Sequence, residues 1–157
     1  MQATLRHVGG LTYVGKANTS HWVVMDGAKT GGGDEAAPSP KELVLLALGG
    51  CTAMDVSGIL RKRRVDVRRF DMELDADVAE EHPKVFTQIR MTYRFEGDVP
   101  TSEVERAVRL SQEKYCSVSA MLRQAVPLRW RAVVNDQEVA SGVEGEGAHV
   151  PARAESA

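Results

Sequence analysis

From Leu43 to Met54 apolar residues occupy nearly every position, so no helical face of that stretch is polar. This pattern predicts a helix covered on all sides rather than one lying on a surface. Its start is marked: Ser39 can cap, Pro40 suits the first turn, and Glu42 stands where a capping box needs an acid. Its end, at about Arg64, is marked by the run Arg61-Lys62-Arg63-Arg64, which sets solvated cations against the negative pole of the helix dipole. Gly49 and Gly50 fall inside it, each costing about 1 kcal/mol of helix propensity relative to alanine. The compensation expected is a close crossing by a second helix.

On either side of this helix the pattern shifts toward period two. Residues 1–30 divide at Gly9-Gly10 and before Gly27 into three short antiparallel strands. Residues 27–38 are glycine-rich but lack the GK[ST] of a phosphate loop, which predicts a flexible connection. Val67–Ala79 and Val85–Glu96 read as a long β-hairpin around Glu81-His82-Pro83. Thr101 caps a helix to about Lys114, Ser117–Ala125 makes another that Pro127 ends, and Leu128–Val134 is a last strand. The predicted order is β-β-β-α-β-β-α-α-β, an α+β domain over residues 1–140. Residues 141–157 are Gly, Ala, Glu, Pro and Ser-rich, which predicts a disordered C-terminal tail. A helix apolar on every side needs more cover than one sheet supplies, so a homodimer is expected.

Composition removes several alternatives. With 157 residues the chain has room for one domain, and a net charge of −2 with 5% aromatic residues points away from nucleic acid and anionic membranes. The N-terminus has no basic start leading into an apolar run, so no secretory signal is read there. Leu43–Leu60 is interrupted by Thr52, Asp55 and three glycines, which suits a core helix better than a membrane span. A cytoplasmic location is therefore expected. In that compartment the only two cysteines, Cys51 and Cys116, are not expected to form a permanent bridge. They are either small core residues or reactive thiols. Cys116 stands where a helix begins, a position that favours thiolate. The four histidines, His7, His21, His82 and His149, show no metal-ligand spacing.

The segments SPKELVLLALGGCTAMDVSGIL and LSQEKYCSVSAML, with HPKVFTQIRMTYRFEG between them, resemble the OsmC/Ohr family, closest to its YhfA-like branch. The resemblance covers roughly residues 1–135. It implies an α+β fold in which two antiparallel sheets wrap around central helices in an intertwined homodimer. It also implies a thiol peroxidase that reduces organic hydroperoxides in oxidative-stress defence. Cys51 would be the peroxidatic residue, oxidised to a sulfenic acid, and Cys116 would condense with it to a disulfide. An external dithiol reductant would reopen the bridge, with no cofactor or metal. The family site lies at the dimer interface, where apolar walls could hold an alkyl peroxide.

Two positions depart from the family pattern. Peroxidatic members carry an Arg after Gly-Gly near the end of the first strand, held by a Glu directly after the helix proline. Here Leu11 follows Gly9-Gly10, and Lys41 follows Pro40 with Glu42 one residue later. Lys41 and Glu42 are thus the supporting site candidates, Lys41 as a cation that would lower the thiol pKa. Arg6 and Arg123 are further cations without a positional argument. The departure leaves two non-enzymatic readings beside the peroxidase: a module binding a small hydrophobic ligand, and a thiol redox sensor.

Overall fold

The structure, a computed structural model, describes residues 1–146. It divides into two compact units, Met1–Ala47 and one beginning at Leu48. The predicted tail beyond residue 146 lies outside the described residues.

In the first unit β1 (Ala3–Gly9), β2 (Thr12–Ala17) and β3 (Trp22–Met25) form an antiparallel sheet in chain order. The loop after β3 is not the loose connection that its glycines suggest. The Asp26 carboxylate, almost fully buried, accepts bonds from the N–H groups of Gly27 (2.8 Å), Asp34 (3.1 Å) and Ala36 (3.0 Å). The Ala36 bond foremost lowers its pKa against the opposing effect of burial, with Gly27 and Asp34 adding to it. Gly33 is needed for tight closure: a Cβ there would stand 2.1 Å from the carbonyl oxygen of Gly27. Gly27 and Gly33 therefore serve close approach, and Gly32 takes a positive φ of 90°.

Helix α1 (Pro40–Lys62) starts as its sequence predicts. The Ser39 N–H donates to Glu42 Oε2 at 2.6 Å, and the Glu42 N–H donates to Ser39 Oγ at 3.4 Å. The expectation of cover on all sides is not met within one chain. Leu48, Thr52, Val56 and Leu60, spaced by four, are buried, whereas Leu46 and Met54 remain 60% and 76% exposed. Among the described residues of this chain no second helix crosses at the glycines. The close neighbour of Gly49 is Leu74 on a strand, whose Cδ1 would lie 2.7 Å from an added Cβ, and Gly50 faces open space.

In the second unit β4 (Arg69–Val78), β5 (Phe86–Glu96), β6 (Leu128–Val134) and β7 (Gln137–Glu144) form one sheet in that order. The alternation in β5 is realised: Ile89, Met91, Tyr93 and Phe95 are all buried. The α+β architecture with two sheets and a few helices stands, but this sheet is mixed rather than antiparallel, because β5 and β6 run parallel. Two helices, α2 (Thr101–Leu110) and α3 (Ser117–Leu122), link those strands, and a helical crossover brings the chain back in its original direction. Strand β7 corrects the assignment of residues 141–144 to a tail. Asn135 and Asp136 both take positive φ, turning the chain into a tight hairpin with β6. Gly142 then lies under the Trp130 ring, with 2.6 Å between an added Cβ and Cζ2, so it is a packing residue and not a linker.

Candidate functional site

The site is built where α1 meets the turn between α2 and α3. Cys51 and Asp55 are one helical turn apart on α1, so both project from one face. Opposite them the backbone leaves α2 in a wider π-helical turn, Ser111–Tyr115, closed by a 2.8 Å bond from the Cys116 N–H to the Ser111 carbonyl. The predicted helix to Lys114 therefore ends in a different geometry. Cys116 is extended and caps α3, its sulfur accepting from the Ser119 N–H at 3.3 Å.

This arrangement brings the two cysteines together. The sulfurs of Cys51 and Cys116 and a carboxylate oxygen of Asp55 all lie within 4.8 Å of one another. Ser117 Oγ is 3.9 Å from the Cys51 sulfur. Both cysteines are free; Cys51 is partly exposed and Cys116 is buried.

Their environments push the thiols in opposite directions. For Cys51 burial is the largest single influence and opposes ionisation. The Val118 N–H, the Cys116 thiol and the Ser117 hydroxyl together outweigh it, against Asp55, so its pKa is lowered. For Cys116 burial dominates and raises the pKa, the Ser119 groups notwithstanding, and the neighbouring Cys51 raises it further. Of the two thiols Cys51 is therefore the first to give up its proton, and the Cys116 thiol favours that ionisation by donating toward the Cys51 sulfur. The position of Cys116 at the start of α3 predicts that it is the more acidic thiol; instead the Val118 N–H gives that advantage to Cys51.

Asp55 has its own support. The buried Ser111 hydroxyl donates to Asp55 Oδ2 at 3.2 Å. Thr52 Oγ1 lies 2.8 Å from Ser111 Oγ and 2.7 Å from the Tyr93 hydroxyl, and Gln112 Nε2 donates to both Thr52 (3.0 Å) and Tyr93 (2.6 Å). A carboxylate only accepts, so the hydrogens line up in one direction: Tyr93 to Thr52, Thr52 to Ser111, Ser111 to Asp55. Burial foremost keeps the Tyr93 phenol protonated well above its usual range. This chain, too, anchors α1 to β5 and the π-helical turn.

Lys41 and Glu42 lie exposed in the first turn of α1, and Glu42 is engaged by the cap. Arg123 Nη1 donates to the Gln112 carbonyl at 3.2 Å and stands 3.7 Å from Glu144. The guanidinium of Arg6 stacks over Trp22 in the first sheet, at 5.6 Å. Sequence reasoning missed Asp55 as a site residue, although its four-residue spacing from Cys51 was available. It also missed Ser111, Ser117 and Val118, whose roles depend on a turn geometry with no residue signature.

Residues 31–131 match the family model "OsmC-like protein". Protein YhfA of Escherichia coli K12 is 46% identical over 127 residues, covering 80% of this chain and 92% of that protein. A crystal structure of a hypothetical protein from Aquifex aeolicus is 29% identical with a TM-score of 0.71, covering 85% of this chain and 96% of the other. An OsmC organic hydroperoxide resistance protein from Legionella pneumophila shares the fold, with a TM-score of 0.64 at 16% identity over 85% of this chain and 94% of its own.

Proposed function

Because the chain belongs to the OsmC-like protein family, we propose that it is a cysteine-based peroxidase that reduces organic hydroperoxides. The observation that carries this reading is the asymmetric thiol pair: a partly exposed Cys51 with lowered pKa, within 4.8 Å of a buried Cys116 with raised pKa. The thiolate is the nucleophile, and only Cys51 combines ionisation with access. The Legionella protein of the same fold is an organic hydroperoxide resistance protein, which supports the choice of substrate class.

The Cys51 thiolate attacks the outer peroxide oxygen and the O–O bond breaks. The leaving alkoxide takes a proton and departs as alcohol, and Cys51 becomes a sulfenic acid. Cys116 supplies that proton best, since losing it readies the resolving thiolate. The Cys116 thiolate then attacks the sulfenic sulfur and a disulfide forms as the S–O bond breaks; the oxygen leaves as hydroxide and takes a proton from solvent to become water. Bonding needs about 2 Å between sulfurs, so the pair closes by at most about 3 Å. A cytoplasmic dithiol returns both thiols by exchange. Leu11 stands where peroxidatic relatives are expected to carry Arg, so the donors of residues 116–118 supply the thiolate stabilisation here.

The reading includes a homodimer. Leu46 and Met54 leave an apolar face of α1 open, and a second copy presenting the same face would cover it.

The test is consumption of cumene hydroperoxide with a dithiol reductant. Wild-type protein is expected to turn over, Cys51→Ser to be inactive, and Cys116→Ser to accumulate the sulfenic acid. Equal peroxide loss in wild type and Cys51→Ser ends the proposal.

A further inference from the structure

We propose that Cys51, Cys116 and Asp55 of one chain form a binding site for a thiophilic divalent cation of the zinc type. The inference stands apart from the peroxidase reading. Two sulfurs and one carboxylate oxygen converge within 4.8 Å. Around a tetrahedral zinc, with bonds of about 2.3 Å to sulfur and about 2.1 Å to oxygen, such donors sit about 3.5–3.8 Å apart. The site needs to contract by about 1 Å, within the reach of side-chain rotation at the solvent-facing Cys51. A tetrahedral ion then keeps one position for water or an exogenous ligand.

Charge and hardness agree with that ligand. Thiolate sulfur selects zinc-like and softer cations over magnesium or calcium. Two thiolates and a carboxylate around a dication leave one net negative charge. Binding is an exchange without oxidation or reduction: each metal–sulfur bond forms as a bound water leaves the metal and the thiol proton passes to solvent.

Asp55 is the residue that the peroxidase chemistry leaves without a task. A carboxylate beside a nucleophilic thiol disfavours the thiolate. Yet the buried Ser111 hydroxyl, backed by Thr52, Tyr93 and Gln112, holds that carboxylate in place. Support of this kind is what orients ligating carboxylates in metal sites, where the cation reverses the sign of the electrostatics.

The experiment uses the full chain, reduced and freed of reductant without air. Zn²⁺ binding is measured by competition with a chromophoric chelator, and Cd²⁺ binding by the ultraviolet thiolate-to-cadmium band. One ion per chain is expected, with saturable binding lost in Cys51→Ser and in Cys116→Ser. Ser111→Ala, which retains all three donors, is expected to bind about 10-fold more weakly, and Asp55→Asn, which loses a charged donor, at least as much so. Absence of saturable binding in the wild type overturns the proposal. So does an Asp55→Asn affinity within twofold of wild type; if that variant does not fold, an unchanged affinity in Ser111→Ala decides the matter the same way. Binding is read without peroxide, so an inactive chain that binds metal refutes only the peroxidase, and an active chain that does not refutes only the site.

Discussion

Replacing Asp55 by Asn should make Cys51 more acidic. The change removes one negative charge and keeps the oxygen that accepts from Ser111. A carboxylate oxygen of Asp55 lies within 4.8 Å of the Cys51 sulfur. Two unit charges at that separation repel by about 3 kcal/mol at an effective dielectric of about 20, and by about 1 kcal/mol in bulk water. Cys51 is partly exposed, so the lower figure governs. One pKa unit corresponds to about 1.4 kcal/mol, so the Cys51 midpoint should fall by about half a unit to one unit. The assay is the pH dependence of iodoacetamide modification at Cys51, followed by mass spectrometry at low ionic strength. The midpoint is the quantity to read, because intrinsic nucleophilicity falls slightly with pKa and lowers the plateau. Added salt should shrink the difference between variant and wild type. A midpoint that rises, or stays in place at low salt, would show that the Asp55 charge does not act on this thiol.

Three further outcomes follow from other parts of the molecule. Thr52→Val removes a fully buried hydroxyl that meets Tyr93, Ser111 and Gln112, and should destabilise by about 2 kcal/mol, a thermal midpoint loss of roughly 5 °C by calorimetry. A loss within experimental error would mean that water replaces those bonds. Asp26 has a lowered folded-state pKa, so the stability it provides is fully present above its unfolded value and fades as pH falls through the folded one; Asp26→Asn should flatten that acid limb in urea titrations, and an unchanged pH profile counts against the loop assignment. Met54→Lys places a charge on the open face of α1 and should shift the protein from dimer to monomer in light scattering, whereas an unaltered mass would locate the interface elsewhere.

Most of the fold could be read from the chain because its signals are local and redundant. The Ser39–Glu42 cap and the alternation from Ile89 to Phe95 each state their own geometry. What could not be read depends on partners far away in sequence. Gly33 and Gly142 look like linker residues, yet one closes onto Gly27 and the other lies beneath Trp130. The parallel pairing of β5 and β6 follows from how α2 and α3 route the chain, which residue patterns alone do not reveal. At the site, the two cysteines announced themselves by rarity and motif. Asp55 passed as an ordinary polar interruption of an apolar helix, because its meaning comes from Ser111, 56 positions away.

The π-helical turn at Ser111–Tyr115 makes the pairing of the thiols depend on how the backbone winds there. Its ring holds one residue more than an α-helical turn, which resets the angular phase of everything downstream. Were those five residues to wind as an ordinary α-helix, Tyr115 would take the place over the Ser111 carbonyl and Cys116 would lie about 100° further around the axis. The extra residue is thus what carries Cys116 round to the face of Cys51: a change that tightened the ring without shortening the chain would part the thiols while leaving both of them in the protein.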